Sequence, residues 1–189
     1  MKMAPQLLSA TVLAATVLFA HATVAAADEA KSVTVALADG KLEMTSPASW
    51  IPVEPKFRGI VDYEFTAPKS EGDDADGRVT IGGLSGGLEA NKQRWFMQFS
   101  QPDGGNAADA AKSETKKLAD SEVEILDVSG TYVAPPFAGG GKYENYRMLA
   151  AVINAGKLGS YYVKFYGPAR TIHANQKAFE SMVNSLKLK

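Results

Sequence analysis

Tyr146–Ile153 reads Tyr-Arg-Met-Leu-Ala-Ala-Val-Ile and is apolar on both faces of an extended chain from Met148 onward. A strand of this kind cannot lie on a sheet with one wet face; it has to be central and covered on both sides. That requirement constrains the fold more than any other feature of the sequence. The surrounding pattern supplies the partners. Ser32–Ala38 alternates, with Val33, Val35 and Leu37 on one side, and Asp39-Gly40 is a hairpin-turn signal leading to a second strand at Lys41–Thr45. Pro47, Pro52 and Pro55 around Trp50 make that stretch a turn or a short helical start. Ile60–Thr66 alternates again, and Arg78–Gly83 is a further strand. Lys112–Leu118 and Val123–Tyr132 read as a second hairpin, and Ser160–Tyr166 as the antiparallel partner of the central strand. Between Val123 and Val128 the apolar positions change phase, which predicts a bulge.

Two segments have helical periodicity. Leu88, Trp95, Phe96 and Phe99 recur at one-face spacing, and Ile172, Phe179, Met182, Val183 and Leu186 do the same behind Thr171, a plausible N-cap. Many short strands with two good helices indicate an α/β fold in which an antiparallel sheet lies between helices, an α/β/α sandwich. Trp95, Phe99, Met148, Val152, Phe165 and Phe179 are the expected core.

Residues 1–27 have the order of a secretory signal peptide. Lys2 is followed by an apolar stretch from Leu7 to Phe19 and by Ala25-Ala26-Ala27 before Asp28. Residues 28–189 are then expected as a single exported domain, periplasmic or extracellular, with no stable membrane anchor after cleavage. The chain has no cysteine, so disulfides, thiolate metal sites and cysteine nucleophiles are excluded. His173 is the one histidine left beyond the signal segment, so a zinc site of two or three histidines within one chain is excluded too. A formal net charge of −1 gives no electrostatic reason to expect nucleic acid.

Several segments resemble one family. They are Met44–Trp50, Tyr63-Glu64-Phe65, the glycine turn running into Glu89–Trp95, Ser129–Tyr132, Tyr146–Ala151, Tyr162–Pro168 and Phe179–Leu186. Together they are similar to small exported bacterial proteins of the PsbP-like fold superfamily. The resemblance implies an antiparallel sheet between helices and a binding or assembly role in preference to an enzymatic one. No catalytic residue set travels with that fold, and the resemblance is one of architecture, so no photosynthetic role follows from it.

Candidate chemistry is sparse. Gly82-Gly83-Leu84-Ser85-Gly86-Gly87 lies between a strand and a helix but fits neither nucleotide-binding glycine pattern, and a tight, closely packed turn explains it. Glu71, Asp73, Asp74 and Asp76 crowd one loop; with Asp73 as the first position of a calcium loop, the twelfth would be Leu84 instead of a glutamate. Gly83-x-Ser85-x-Gly87 matches the string of a nucleophile elbow, so a small serine hydrolase using Ser85 and His173 is the rival reading, without the parallel sheet that such an elbow needs. Trp50, Arg94, Tyr143 and Tyr146 are the residues expected at a recognition surface, because aromatics and arginine dominate binding hot spots. Trp95 belongs with them by type but is assigned to the core by its spacing. The expectation is therefore an exported, non-enzymatic binding or accessory module of the cell envelope, needing no cofactor or metal, whose partner is a protein or a small ligand. A scaffold that adds an edge strand to another sheet is a third possibility.

Overall fold

In a computed structural model covering residues 31–189, the hairpin expected at Asp39-Gly40 joins β1 (Thr34–Leu37) to β2 (Leu42–Thr45), with Leu37 opposite Leu42. Ala38, Asp39 and Gly40 all take positive φ, the backbone that closes a tight hairpin. The expected signal segment lies outside the described residues. The chain continues through β3 (Ile51–Val53), β4 (Tyr63–Ala67) and β5 (Gly77–Gly83). Helix α1 (Leu88–Phe96), β6 (Phe99–Ser100) and the single turn α2 (Ala107–Ala110) follow. Then come β7 (Lys112–Leu118), β8 (Ser121–Val133), β9 (Lys142–Asn154) and β10 (Ser160–Pro168). Helices α3 (Ala169–Ala174) and α4 (Gln176–Asn184) lead to β11 (Lys187–Leu188).

All strand pairings among the described residues are antiparallel. One sheet has the order β1-β2-β11; the other, of eight strands, runs β3-β4-β5-β10-β9-β8-β6, with β7 also on β8. The doubly apolar strand β9 is central, between β10 and β8, as its sequence requires. Leu149, Ala151 and Ile153 face a core shared with the small sheet, α3 and α4; Met148, Ala150 and Val152 face a second core under α1 and α2. All six residues expected in the core are buried.

Both faces are thus covered, but thinly by helix. A nine-residue α1 and a four-residue α2 cover one, and the other is shared between short helices and a second sheet. The architecture is sheet-dominated, and the expected α/β/α sandwich is corrected accordingly.

The phase change in β8 has a different cause from the bulge it predicts. Glu122 to Gly130 pair with β9 without interruption, and the register shifts only between Gly130 and Tyr132. Val123 and Ile125 contribute to one core and Leu126 and Val128 to the other, so the change of phase records which face is covered at each point along the strand. Thr171 is likewise not an N-cap. It lies inside α3, where its Oγ1 donates to Asp73 Oδ2 at 2.6 Å.

Candidate functional site

On β10 the even positions Tyr162, Lys164 and Tyr166 share the face that looks toward α1, while Val163 and Phe165 enter the opposite core. Lys164 stands opposite Thr80 on β5 and Ala150 on β9, and Tyr166 opposite Arg78 and Met148. A lysine is therefore planted near the middle of the larger sheet and is 7% exposed. Above it lies a cleft of about 460 Å3, walled by α1, the segment Tyr132–Ala138, and the Phe57–Val61 loop. This volume is in the range of small-ligand sites.

Lys164 Nζ donates to Gln98 Oε1 at 2.6 Å and lies 4.9 Å from the centre of the Tyr166 ring, 5.7 Å from that of Trp95 and 6.0 Å from that of Tyr132. None of the ion pairs among the described residues includes it. Burial, reinforced by the positive charges of Arg78 and Arg94, pushes the Lys164 ammonium down to about 7. The Gln98 oxygen and the ring faces act the other way, since both favour the charged form.

The neighbouring charges are differently arranged. Arg78 grips Glu64 through two hydrogen bonds, Nε to Oε1 at 2.8 Å and Nη2 to Oε2 at 3.0 Å, and gives a third to the Tyr166 hydroxyl at 2.8 Å. Burial acts to raise the Glu64 carboxyl, but Arg78 and the Lys56 N–H outweigh it and hold it below the ordinary carboxylate value. Arg94 donates to Asn91 Oδ1 and has no acidic partner among the ion pairs of the described residues. Asn91 is itself fixed: its Nδ2 donates to Ser85 O at 2.8 Å and Gly87 O at 2.7 Å. The glycine turn thus sets the start of α1 and, through Asn91, the place of Arg94. Gly86 and Gly87 take φ of 81° and 88°, and a Cβ on Gly82 would meet Ile60 O at 2.6 Å. The turn is the tight, closely packed one that its composition suggests.

The four residues expected at a recognition surface do not come together. Trp50 is 1% exposed in the other core, against Phe165, and its indole N–H donates to Asn175 Oδ1 at 3.1 Å. The structure therefore places Trp50 away from any surface, because Pro47–Trp50 folds inward under α3 and α4. Arg94 lines the cleft. Tyr143 and Tyr146 form an aromatic cluster with Tyr132 beside it, with ring centres 5.3–6.3 Å apart, and neither lines the cleft. Trp95 is 5% exposed, as its spacing predicts, yet its ring also borders the cleft.

Ser85 lies at the cleft, whereas His173 lines a separate groove with Asp127, Arg147 and Ala169. No hydrogen bond joins them, so the arrangement a serine hydrolase needs is not formed. In the acidic loop, Asp73 Oδ2 accepts from Thr171 N at 2.9 Å and Asp76 Oδ1 accepts from Lys69 N at 2.9 Å. These two acids pin the loop to α3 and to itself. The residue that sequence reading passes over is Lys164. Its signal is a lysine at the midpoint of Tyr162-Val163-Lys164-Phe165-Tyr166, where every neighbour is apolar or aromatic.

No protein-family model and no curated protein matches the sequence. Among solved structures, the cyanobacterial PsbP (CyanoP) of Synechocystis superposes with a TM-score of 0.50 at 14% identity, over 85% of this chain and 94% of that one. The Ran-binding protein Mog1p of Saccharomyces cerevisiae gives a TM-score of 0.42 at 11% identity, over 84% of this chain and 95% of that one. The chain shares the PsbP-like fold that the sequence resemblance implies. Among the described residues no helix is long and apolar enough to cross a membrane.

Proposed function

We propose that this protein is an exported, non-enzymatic binding module of the cell envelope, and that the cleft over Lys164 is its binding site. The observation that carries this reading is a nearly buried lysine, without an acidic partner, at the floor of an open aromatic cleft. A buried cation costs folding free energy unless something compensates it. Keeping one at the bottom of a cleft makes physical sense when a ligand completes the site. The lining supports the same reading: apolar side chains such as Phe57, Ile60, Leu84, Met97 and Phe137, with a few convergent polar groups, are the usual composition of a ligand pocket. Export rests on the pattern of residues 1–27. The separation of Ser85 from His173 removes the support for the hydrolase alternative.

The test is retention of small molecules from envelope extract by the chain beginning at Asp28, identified by mass spectrometry after denaturation. Leu84→Trp is the control, since Leu84 is partly exposed, lines the cleft and packs on the same side of the sheet as Tyr162, so a larger ring there fills the opening. The expected result is a compound retained by the wild type and absent from Leu84→Trp. Equal retention by both, or turnover of simple esters or phosphates by the wild type, would count against the reading.

A further inference from the structure

The charges lining the cleft say what kind of ligand would complete it. Lys164 comes from β10, Arg78 from β5 and Arg94 from α1. Against these three cations stands one acid, Glu64 on β4, and both of its oxygens are engaged by Arg78, with a further bond from Lys56 N at 3.0 Å. The other titratable groups packed around Lys164 are the phenols of Tyr132, Tyr162 and Tyr166, and burial pushes those of Tyr132 and Tyr162 up, away from the charged form. An ammonium has three N–H donors. Gln98 Oε1 takes one, and no other hydrogen bond of Lys164 Nζ is found among the described residues. Two donors of Lys164 and a guanidinium without an acidic partner are therefore left at the cleft, which both residues line.

The walls add a second requirement. Met97 and Phe137 are each 75% exposed and Ile60 is 69% exposed at the rim, and the Phe137 ring meets Phe57 edge-on at 5.6 Å. Exposed apolar side chains this large, gathered around one opening, mark a surface that an apolar body covers.

We propose that the cleft takes a small monocarboxylate with an apolar alkyl or aryl body, its carboxylate seated on the Lys164 ammonium and the Arg94 guanidinium and its body against Phe57, Met97 and Phe137. The inference rests on the cleft being the binding site. Two oxygens match the two remaining N–H donors of Lys164, and the carboxylate bridges the two cations of the cleft that have no acidic partner, Lys164 and Arg94. The apolar side chains of Phe57, Met97 and Phe137 offer no partner to a second acidic group on the body. Charge-assisted hydrogen bonds inside such a site contribute more than neutral ones, so the preference should be for the carboxylate itself and not for its apolar body alone.

The experiment is calorimetric titration of the wild-type chain beginning at Asp28 with decanoate, 3-phenylpropanoate, decanol and decylamine. Lys164→Met and Leu84→Trp are titrated beside it. Lys164→Met keeps the side-chain length and removes a buried charge, so it should fold. One or both carboxylates should bind, and which one tells the alkyl from the aryl class. Decanol should bind roughly 10- to 100-fold more weakly than decanoate, the ratio that a charge-assisted hydrogen bond carries. Lys164→Met should lose that factor for the carboxylate and keep its affinity for the alcohol. At pH 8, titrations in two buffers of different ionisation enthalpy should show proton uptake by the wild type and none by Lys164→Met. Decanol or decylamine binding as well as decanoate, and blocked by Leu84→Trp, overturns the carboxylate inference and leaves the cleft as the binding site. Carboxylate affinity unchanged in Lys164→Met also overturns it. No binding by any of the four probes counts against both.

Discussion

Lys164 donates a 2.6 Å hydrogen bond to Gln98 Oε1, and this bond ties the centre of the large sheet to the residue that follows the α1 turn. Gln98 in turn accepts from Val133 N at 2.7 Å through its backbone oxygen. The lysine is thus held by the same short segment that joins α1 to the cleft wall, and its ionisation is felt by the fold.

Stability should rise with pH because of Lys164. Its folded-state value, pushed down to about 7 by burial, lies below the ordinary lysine value of 10.5. Between those limits the unfolded chain binds more protons than the folded one, so the folded state gains as pH increases, by at most about 1.4 kcal/mol per pH unit from this group. Tyr132, Tyr146 and Tyr162 are pushed up from 10.0 by burial, so their own contribution to the pH dependence sets in only as pH approaches 10. Urea unfolding at pH 7, 8 and 9 should show the rise in the wild type and a flatter profile in Lys164→Met. Parallel profiles would mean that Lys164 is not desolvated.

Glu64→Gln should destabilise the chain. The Glu64 side chain is 3% exposed and that of Arg78 23%, so the substitution leaves a largely buried guanidinium without its counter-charge. Breaking such a pair from one side costs about 3–5 kcal/mol when both groups are buried. With Arg78 partly wet, about 2–3 kcal/mol is expected from the same source, read as a fall in the urea midpoint at pH 7. As pH falls through the lowered Glu64 value, the wild type loses the contribution of the pair and the difference from Glu64→Gln should narrow.

Trp50→Phe separates the two cores. It removes the indole N–H that Asn175 Oδ1 accepts, on the side of the sheet away from the cleft. A loss of about 1 kcal/mol is expected, the low end of the range for an acceptor left unpaired because Asn175 is half-buried, with ligand affinity unchanged. Weaker binding in Trp50→Phe without a matching loss of stability would place Trp50 in recognition after all.

Export makes a prediction about mass. Ala25-Ala26-Ala27 is the expected cleavage site, so the secreted form should begin at Asp28. Intact mass spectrometry of the envelope fraction reads this directly, and a full-length chain found in membranes would favour an uncleaved anchor.

The elements of the fold are legible in the sequence where one local rule acts alone. Alternation marks β1, β4, β5 and β10, the Asp39-Gly40 signal marks the first hairpin, and unbroken apolarity marks β9 as central. Reading fails where two rules meet. The phase change in β8 looks like a bulge because period-two alternation assumes one buried face, and β8 has two that are covered at different places. Thr171 looks like a cap because its distant partner Asp73, 98 residues away, is invisible to a local rule.

The candidate site divides in the same way. Arg94 is expected at a recognition surface by its type, and it lines the cleft. Trp50 is of the same class by composition and lies in the opposite core. Nothing local separates a tryptophan that packs from one that binds, because the difference is made by what folds over it. Tyr143 and Tyr146 illustrate the intermediate case, an aromatic cluster that adjoins the cleft through Tyr132 without lining it.

By itself, then, the sequence determined what is carried by neighbours within a few residues: the strands, the doubly covered centre, the glycine turn, and the absence of thiol chemistry and histidine metal sites. Only the tertiary structure decided that Lys164 lies under Trp95, Tyr132 and Tyr166, that Arg78 uses up Glu64, and that Ser85 and His173 stay apart. The physical reason is range. Propensity and periodicity act along the chain, whereas desolvation and charge act through space, between residues of β5, β8, β10 and α1 that the fold brings to one cleft.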